Sequence, residues 1–138
     1  MRTLGLDVGE KRIGVALSDP GGVLASPLTV ITEVGEQAAL KAIRDLCSQH
    51  EVQRIVVGLP RSMDGTIGKQ AEKVQAFSRR LSEFIQLPVD TWDERLSTVA
   101  AERAMADAGV KRVGRRERRD AVAAALILQG YLDRAQTG

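Results

Sequence analysis

The order of strand-like and helix-like segments is the feature that most constrains the fold of this 138-residue chain. β-forming runs at residues 2–8, 12–18 and 25–31 are separated only by short turns, which predicts an antiparallel meander of three strands. Apolar residues at helical spacing then predict helices at 36–49, 69–85, 97–108 and 120–135, with short strands at 54–58 and 89–93. This order predicts an α/β fold, a mixed five-stranded sheet flanked by helices, in one domain over residues 1–138.

Composition excludes several classes of protein. An apolar content of 43% allows a chain of this length to bury its own core, and the lone Cys47 excludes an internal disulfide. The first residues do not form a signal peptide, because Asp7 interrupts their apolar run. The longest apolar run, residues 121–128, is too short to cross a bilayer. We therefore expect a cytoplasmic protein that does not contact a membrane.

Asp7 stands in the middle of the first predicted strand, with Gly5 and Gly9 two positions away on either side. Because side chains alternate along a strand, Asp7 and both glycines face one layer while the apolar residues between them face the other. A buried carboxylate without a partner is costly, and glycine weakens a strand. Asp7 therefore requires an ion-pair partner, such as Lys11 or Arg12, or a functional use.

Two other places in the sequence offer further carboxylates. Asp93 and Glu94 stand at the end of a predicted strand, where acids often only cap the following helix. Alternation puts Glu94 on the same face as Trp92, turned inward, which favours Glu94 and leaves the role of Asp93 open. Asp120 is in line with the apolar stripe of the last predicted helix and heads it. It can be the N-cap of that helix, a role that does not exclude a functional one.

We expect Asp7, Glu94 and Asp120 to converge at one edge of the sheet. Mg²⁺ takes carboxylate oxygens together with substrate phosphate and water, whereas Zn²⁺ prefers Cys and His. The one Cys and the one His fit structural roles on a predicted helix, Cys47 in the core and His50 as a C-terminal cap. Two Mg²⁺ or Mn²⁺ ions about 3.5–4 Å apart could activate water and stabilise the leaving oxygen of a phosphodiester.

Four segments of the chain together are similar to one family. They are GLDVGEKRIGVALSD at 5–19, VVGLPRSMDG at 56–65, DERLST at 93–98 and RRDAVAAALILQGYL at 118–132. In this order they resemble the YqgF family, also called RuvX-like, of the RNase H-like superfamily. The resemblance implies an RNase H-like nuclease domain with acids at Asp7, Glu94 and Asp120, which matures the 5′ end of pre-16S rRNA. A second implied activity, through similarity to RuvC, is Holliday junction resolution.

Other residues of these segments are candidates for supporting roles. Gly58 and Gly65 join Gly5 and Gly9 as glycines that leave room at the site. Arg61 and Lys69 border the loop at 60–68, which is either a mobile flap with phosphate contacts or a solvated turn. Arg95 either contacts the scissile phosphate or pairs with a neighbouring acid.

The positive charge of the chain is concentrated in residues 111–119. This segment has six basic residues and one acid, a net charge of +5, whereas the whole chain has only +2. It is either a clamp for a nucleic-acid backbone or a solvated loop. Aromatic residues are only 3% of the chain, so backbone charge and shape are better candidates for recognition than base stacking. The predicted clamp residues are Arg115, Arg116, Arg118 and Arg119.

Two alternatives belong to other functional classes. The first hairpin also resembles the phosphate-binding opening of sugar kinases and chaperone ATPases, but those proteins enclose ATP between two domains. A nucleic-acid-binding regulator without catalysis is the second alternative. The sequence leaves open whether the nucleic acid is RNA or branched DNA, and whether the protein is a monomer or a homodimer.

Overall fold

The computed structural model describes residues 1–32, 35–61, 67–96 and 116–137. Five strands form one sheet: β1 (Thr3–Val8), β2 (Ile13–Ser18), β3 (Ala25–Ile31), β4 (Arg54–Leu59) and β5 (Val89–Asp93). Their order across the sheet is β3-β2-β1-β4-β5, with β1 in the centre. Both β1–β2 and β2–β3 are antiparallel, whereas β4 is parallel to β1 and to β5. The predicted meander with two added parallel strands is therefore confirmed.

Within the described residues, three helices flank the sheet: α1 (Glu36–Gln49), α2 (Lys69–Ile85) and α3 (Arg116–Thr137). The first two have the predicted bounds, because apolar residues spaced three and four apart form one buried stripe on each helix. The helix predicted at 97–108 lies outside the described residues. The predicted start of the last helix at Asp120 is wrong, because α3 begins four residues earlier, at Arg116. The residues at positions 116–119 are Arg and Glu, which favour helix, so the helix extends back into the basic run.

The two faces of the sheet carry separate cores. Leu4 and Leu6 of β1 are fully buried in the core that the sheet forms with α1 and α2. On the other face, a Cβ added to Gly5 would lie 2.8 Å from Cβ of Leu128, in α3. α3 thus crosses close to the centre of the sheet, and the absence of a side chain at Gly5 permits this approach.

Side-chain hydrogen bonds connect α3 with the strands near both edges of the sheet. The Gln129 side-chain amide donates to the carbonyl of Val23, before β3, at 2.9 Å. The Tyr131 hydroxyl accepts a hydrogen bond from Arg54 at 2.7 Å and donates one to Asp90 of β5 at 3.0 Å. The position of α3 therefore depends on polar contacts as well as on apolar packing.

The helices that the structure describes include none with the length and apolar character needed to cross a membrane.

Candidate active site

Asp7 lies on the α3 face of the central strand. Its neighbours Leu6 and Val8 pack toward α1 and α2, so alternation directs Asp7 to the opposite face. Asp7 is paired in register with Gly14 of β2, which faces the main chain of α3 at Asp120. The predicted alternation along β1 is confirmed, and the half-buried carboxylate belongs to the side of the sheet that α3 covers.

Glu94 follows β5 in a short 3-10 turn, Glu94–Leu96, and its carboxylate lies over β4. Oε2 of Glu94 is 3.1 Å from the position that a Cβ on Gly58 would occupy. Gly58 is paired with Trp92, whose ring packs against Tyr131 of α3 with centroids 6.0 Å apart. Glu94 therefore shares the face of Trp92, as the alternation predicted, and Gly58 leaves the space that its carboxylate uses.

Asp7 and Gly58 are neighbours across β1 and β4. The register pairs Leu6 with Val57, so the next residues along these parallel strands are Asp7 and Gly58. The carboxylate of Glu94 lies over Gly58, which brings Asp7 and Glu94 to the same end of the same face.

Asp120 lies one turn inside α3 and is not the N-cap of this helix, which begins at Arg116. Its main chain lies directly over Gly14, where an added Cβ would overlap the carbonyl oxygen of Asp120 and lie 2.5 Å from the carbonyl carbon. Because Gly14 is also the cross-strand partner of Asp7, the start of α3 is located beside Asp7. Gly14 is a site residue that the sequence reasoning missed, although a glycine inside a strand signals a close backbone approach.

Arg12 is the second residue that the sequence reasoning missed as part of the site. Its Nε donates to Oδ2 of Asp120 at 2.7 Å, and the two side chains are 28% and 29% exposed. The sequence suggested Arg12 only as a partner for Asp7. No local pattern could have indicated Asp120, which is 108 positions away in the chain.

The Asp93 side chain is directed to the opposite face from Glu94 and contacts two arginines. It pairs in register with Leu59, which packs in the core beneath α1 and α2. Oδ2 of Asp93 accepts a hydrogen bond from Nη2 of Arg95 at 2.6 Å and lies 3.5 Å from Nη1 of Arg61. The hydrogen bond from Arg95 lowers the pKa of Asp93 below its usual value, against the effect of burial. Of the two roles left open for Arg95, pairing with a neighbouring acid is the one seen here.

The described side chains do not form a ready-made metal centre. Within the described ranges, no group of three or more His, Cys, Asp and Glu side chains is arranged to hold a metal ion. Cys47 is buried in the core, where burial raises the pKa of its thiol to about 11, and His50 is the C-cap of α1. The donor chemistry that remains is that of the carboxylates, which suits a hard cation such as Mg²⁺.

The predicted phosphate-binding residues are distributed around the same end of the sheet. Lys69 is the exposed first residue of α2, and the next residue, Gln70, donates to the carbonyl of Val8 at 3.4 Å. Arg119 is half-buried in the first turn of α3, and Arg116 and Arg118 belong to the same turn. The predicted roles of Arg115 and Gly65 concern positions outside the described residues. Gly9 forms the β1–β2 turn, with its N–H bonded to the carbonyl of Arg12.

Comparison with known proteins identifies the family. The sequence profile of RuvX, a family with the description Holliday junction resolvase, matches residues 1–134. The chain belongs to the RuvX family. A relative from Moorella thermoacetica is 53% identical over 134 residues, which cover 97% of this RuvX chain and 96% of the relative. A relative from Clostridium kluyveri is 50% identical over 134 residues, covering 97% and 98%, and both are named "Putative pre-16S rRNA nuclease". The resemblance to the YqgF and RuvX-like family is confirmed.

Solved structures bear on the fold of this RuvX chain. RuvC of Thermus thermophilus in complex with a Holliday junction substrate covers 100% of this chain and 97% of its own, with a TM-score of 0.61 at 16% identity. A second structure of that RuvC gives a TM-score of 0.57 at 14% identity. At these identities the likeness shows the fold alone, and it confirms the predicted RNase H-like α/β fold.

Proposed function

We propose that this RuvX chain is an endonuclease that depends on a divalent cation and hydrolyses phosphodiester bonds in the precursor of 16S rRNA. The observation that carries the proposal is that Asp7, Glu94 and Asp120, from three separate elements, belong to one face and one end of the sheet. The names of the curated relatives support this substrate.

The proposed ligands of the cation are the carboxylates of Asp7, Glu94 and Asp120. Their donor chemistry fits Mg²⁺ or Mn²⁺, and the absence of a side chain at Gly58 leaves the space in which the Glu94 carboxylate lies. When bound, the cation lowers the pKa of a water molecule and offsets negative charge on the leaving oxygen. The chain contributes fixed backbone positions, because Asp7 lies in the central strand and Asp120 is packed against Gly14.

The proposed phosphate-binding groups are Arg61, Arg95 and Lys69. Asp93 holds the side chain of Arg95 through three hydrogen bonds, which fix the position of its guanidinium group at the end of β5. Because Arg61 lies beside the same carboxylate, Asp93 keeps two guanidinium groups close together at the end of β5. Such a pair can orient a phosphate before the bond is cleaved, which reduces the entropy lost in the reaction step.

Holliday junction resolution is the second candidate function. The description of the RuvX family and the RuvC-like fold favour it. Symmetric cleavage of a four-way junction would require two copies of this chain, related by a two-fold axis.

A comparison of two substrates tests the proposal. Purified protein is incubated with a precursor rRNA fragment that includes the 5′ end of 16S rRNA, and in parallel with a four-way DNA junction. We expect cleavage of the RNA with Mg²⁺ or Mn²⁺ and none with EDTA. Cleavage of the junction alone would favour the second candidate function. Cleavage of neither substrate would contradict both and favour a nucleic-acid-binding regulator without catalysis.

Asp7→Asn separates a catalytic role from a structural one. The amide keeps the shape of the side chain but is a weaker ligand, so we expect loss of cleavage with an unchanged fold by circular dichroism. Asp45→Asn is the matched control, because the Asp45 side chain is 76% exposed on α1. Cleavage by Asp7→Asn at the rate of the control would show that Asp7 is structural.

A further inference from the structure

A cavity of about 750 Å³ lies on the α1 and α2 side of the sheet, next to the β1–β2 turn. It is lined by residues of this turn, by the start of α1 and by α2, and Arg12 is one of its lining residues. Arg12 also donates to Asp120, at the start of α3. One side chain therefore connects this cavity with the proposed catalytic carboxylates.

The charges around the cavity favour an anion. Arg80 and Glu36 neutralise each other through two hydrogen bonds, at 2.5 and 2.7 Å. Arg12 is paired with Asp120 in the same way, so the remaining charged residues that line the cavity are two bases, Lys11 and Lys73, and one acid, Glu10. The lysines are exposed, so they can reach a ligand at the mouth of the cavity.

We propose that this cavity binds a backbone phosphate of the nucleic-acid substrate, and that this phosphate draws the guanidinium of Arg12 away from Asp120. The inference rests on the proposed function, because it takes Asp120 as a ligand of the cation. Arg12 is then a positioning residue, which pairs with Asp120 in the free protein and releases this carboxylate when substrate is bound.

The exchange requires only side-chain movement. The contact of Asp120 with Gly14 fixes the backbone of α3, whereas the partly exposed carboxylate and guanidinium groups can rotate. A guanidinium binds phosphate through two parallel N–H bonds, so phosphate is a strong competitor for a carboxylate. Because coupling between two ligands is reciprocal, nucleic acid should increase the affinity for the cation, and the cation should increase the affinity for nucleic acid.

Titration with Mn²⁺ tests the competition without any measurement of cleavage. The free aquo-ion is followed by electron paramagnetic resonance, with and without a short oligonucleotide that a gel shows to remain intact. We expect Arg12→Gln to bind Mn²⁺ about two- to fivefold more tightly than the wild type in the absence of oligonucleotide, because a partly exposed ion pair has been removed. The oligonucleotide should tighten Mn²⁺ binding to the wild type by a larger factor than it tightens that of Arg12→Gln, because only the wild type has an ion pair with Asp120 to release.

Two further variants separate failure of this inference from failure of the proposed function. Arg12→Lys keeps the charge and should bind Mn²⁺ with nearly wild-type affinity. Asp120→Asn should weaken Mn²⁺ binding. If it does so while Arg12→Gln binds Mn²⁺ no better than the wild type, the inference is wrong and the metal assignment stands. If Asp120→Asn binds Mn²⁺ like the wild type, Asp120 is not a ligand and both are overturned.

The cavity itself is tested at Lys73. Lys73→Gln should reduce affinity for the oligonucleotide and lower the magnitude of its salt slope by about 0.7–0.9, with no change in Mn²⁺ binding to the free protein. Lys41→Gln, on an exposed position of α1 that does not line the cavity, is the matched control. Equal oligonucleotide binding by the two variants would show that phosphate does not bind in the cavity.

Discussion

Replacing Gly14 with alanine should move the start of α3 away from the sheet. A Cβ at this position would overlap the carbonyl oxygen of Asp120, and it would lie 2.5 Å from the carbonyl carbon and 3.1 Å from the amide nitrogen of Ala121. These atoms belong to the main chain of a helix, so they cannot rotate away as the end of a side chain could. The added methyl group therefore displaces the helix turn that carries Asp120.

The size of the effect follows from these distances. Ordinary van der Waals contact begins at 3.4 Å, so the carbonyl carbon must retreat by about 1 Å. Overpacking of this kind costs about 1–3 kcal/mol. For a chain of this length 1 kcal/mol corresponds to roughly 4 °C in Tm, so we expect Tm to fall by about 4–12 °C. Binding of Mn²⁺ should also weaken, because Asp120 moves with the helix.

Thermal unfolding followed by circular dichroism, together with Mn²⁺ titration, measures both effects. Gly21→Ala is the control, because Gly21 is exposed and its added Cβ would meet only side-chain atoms, Oδ2 of Asp19 at 3.2 Å and Cγ2 of Val23 at 3.9 Å. The control should change Tm by no more than about 2 °C. A Gly14→Ala variant with the Tm and the Mn²⁺ affinity of this control would refute the close packing of α3 on β2.

Three other substitutions test separate parts of the site. In Gly58→Ala the flexible end of Ile127 can turn away but the Glu94 carboxylate must shift, so Tm should fall less than in Gly14→Ala while cleavage falls at least about tenfold. Equal losses of Tm in both variants would contradict this difference. Asp93→Asn should be less stable than the wild type in urea at pH 7. The difference should be full above about pH 4 and shrink as the pH falls further, because the lowered pKa of Asp93 makes its contribution present above the unfolded-state pKa and lost as the pH falls through the lower folded-state pKa. A difference that stays constant as the pH is lowered from about 4 to about 2 would show another cause. A fourfold variant changes four arginines of the basic segment to Gln: Arg115, Arg116, Arg118 and Arg119. It should lower the magnitude of the salt slope of RNA binding by about three units in total. An unchanged slope would show that the segment is solvated and does not bind phosphates.

Most of the fold could be predicted because its signals are local. The alternation along β1 and the apolar stripes of α1 and α2 depend on neighbouring residues, and four of the predicted elements have the predicted bounds. The start of α3 was predicted wrongly because charge was taken as a sign of loop, whereas arginine and glutamate are good helix formers. The extra turn places Asp120 inside the helix and brings Arg119 into its first turn.

The site could be predicted only in part, because its contacts join distant residues. Strand alternation was enough to assign a face to Asp7 and to Glu94. The ion pair of Arg12 with Asp120, and the packing of Asp120 on Gly14, depend on where α3 docks. No residue pattern near Arg12 specifies that docking, so this half of the site required the structure.

The late position of α3 in the sequence has a consequence for biosynthesis. A nascent chain that has not yet reached α3 can already form the five strands and the layer of α1 and α2. The other face of its sheet would be exposed, because Ala16 and Val56 pack against residues of α3. Such a chain would include Asp7 and Glu94 but not Asp120. A ribosome that is still translating this protein therefore carries a chain without Asp120, the third of the proposed ligands, so assembly of the proposed site must follow synthesis of α3.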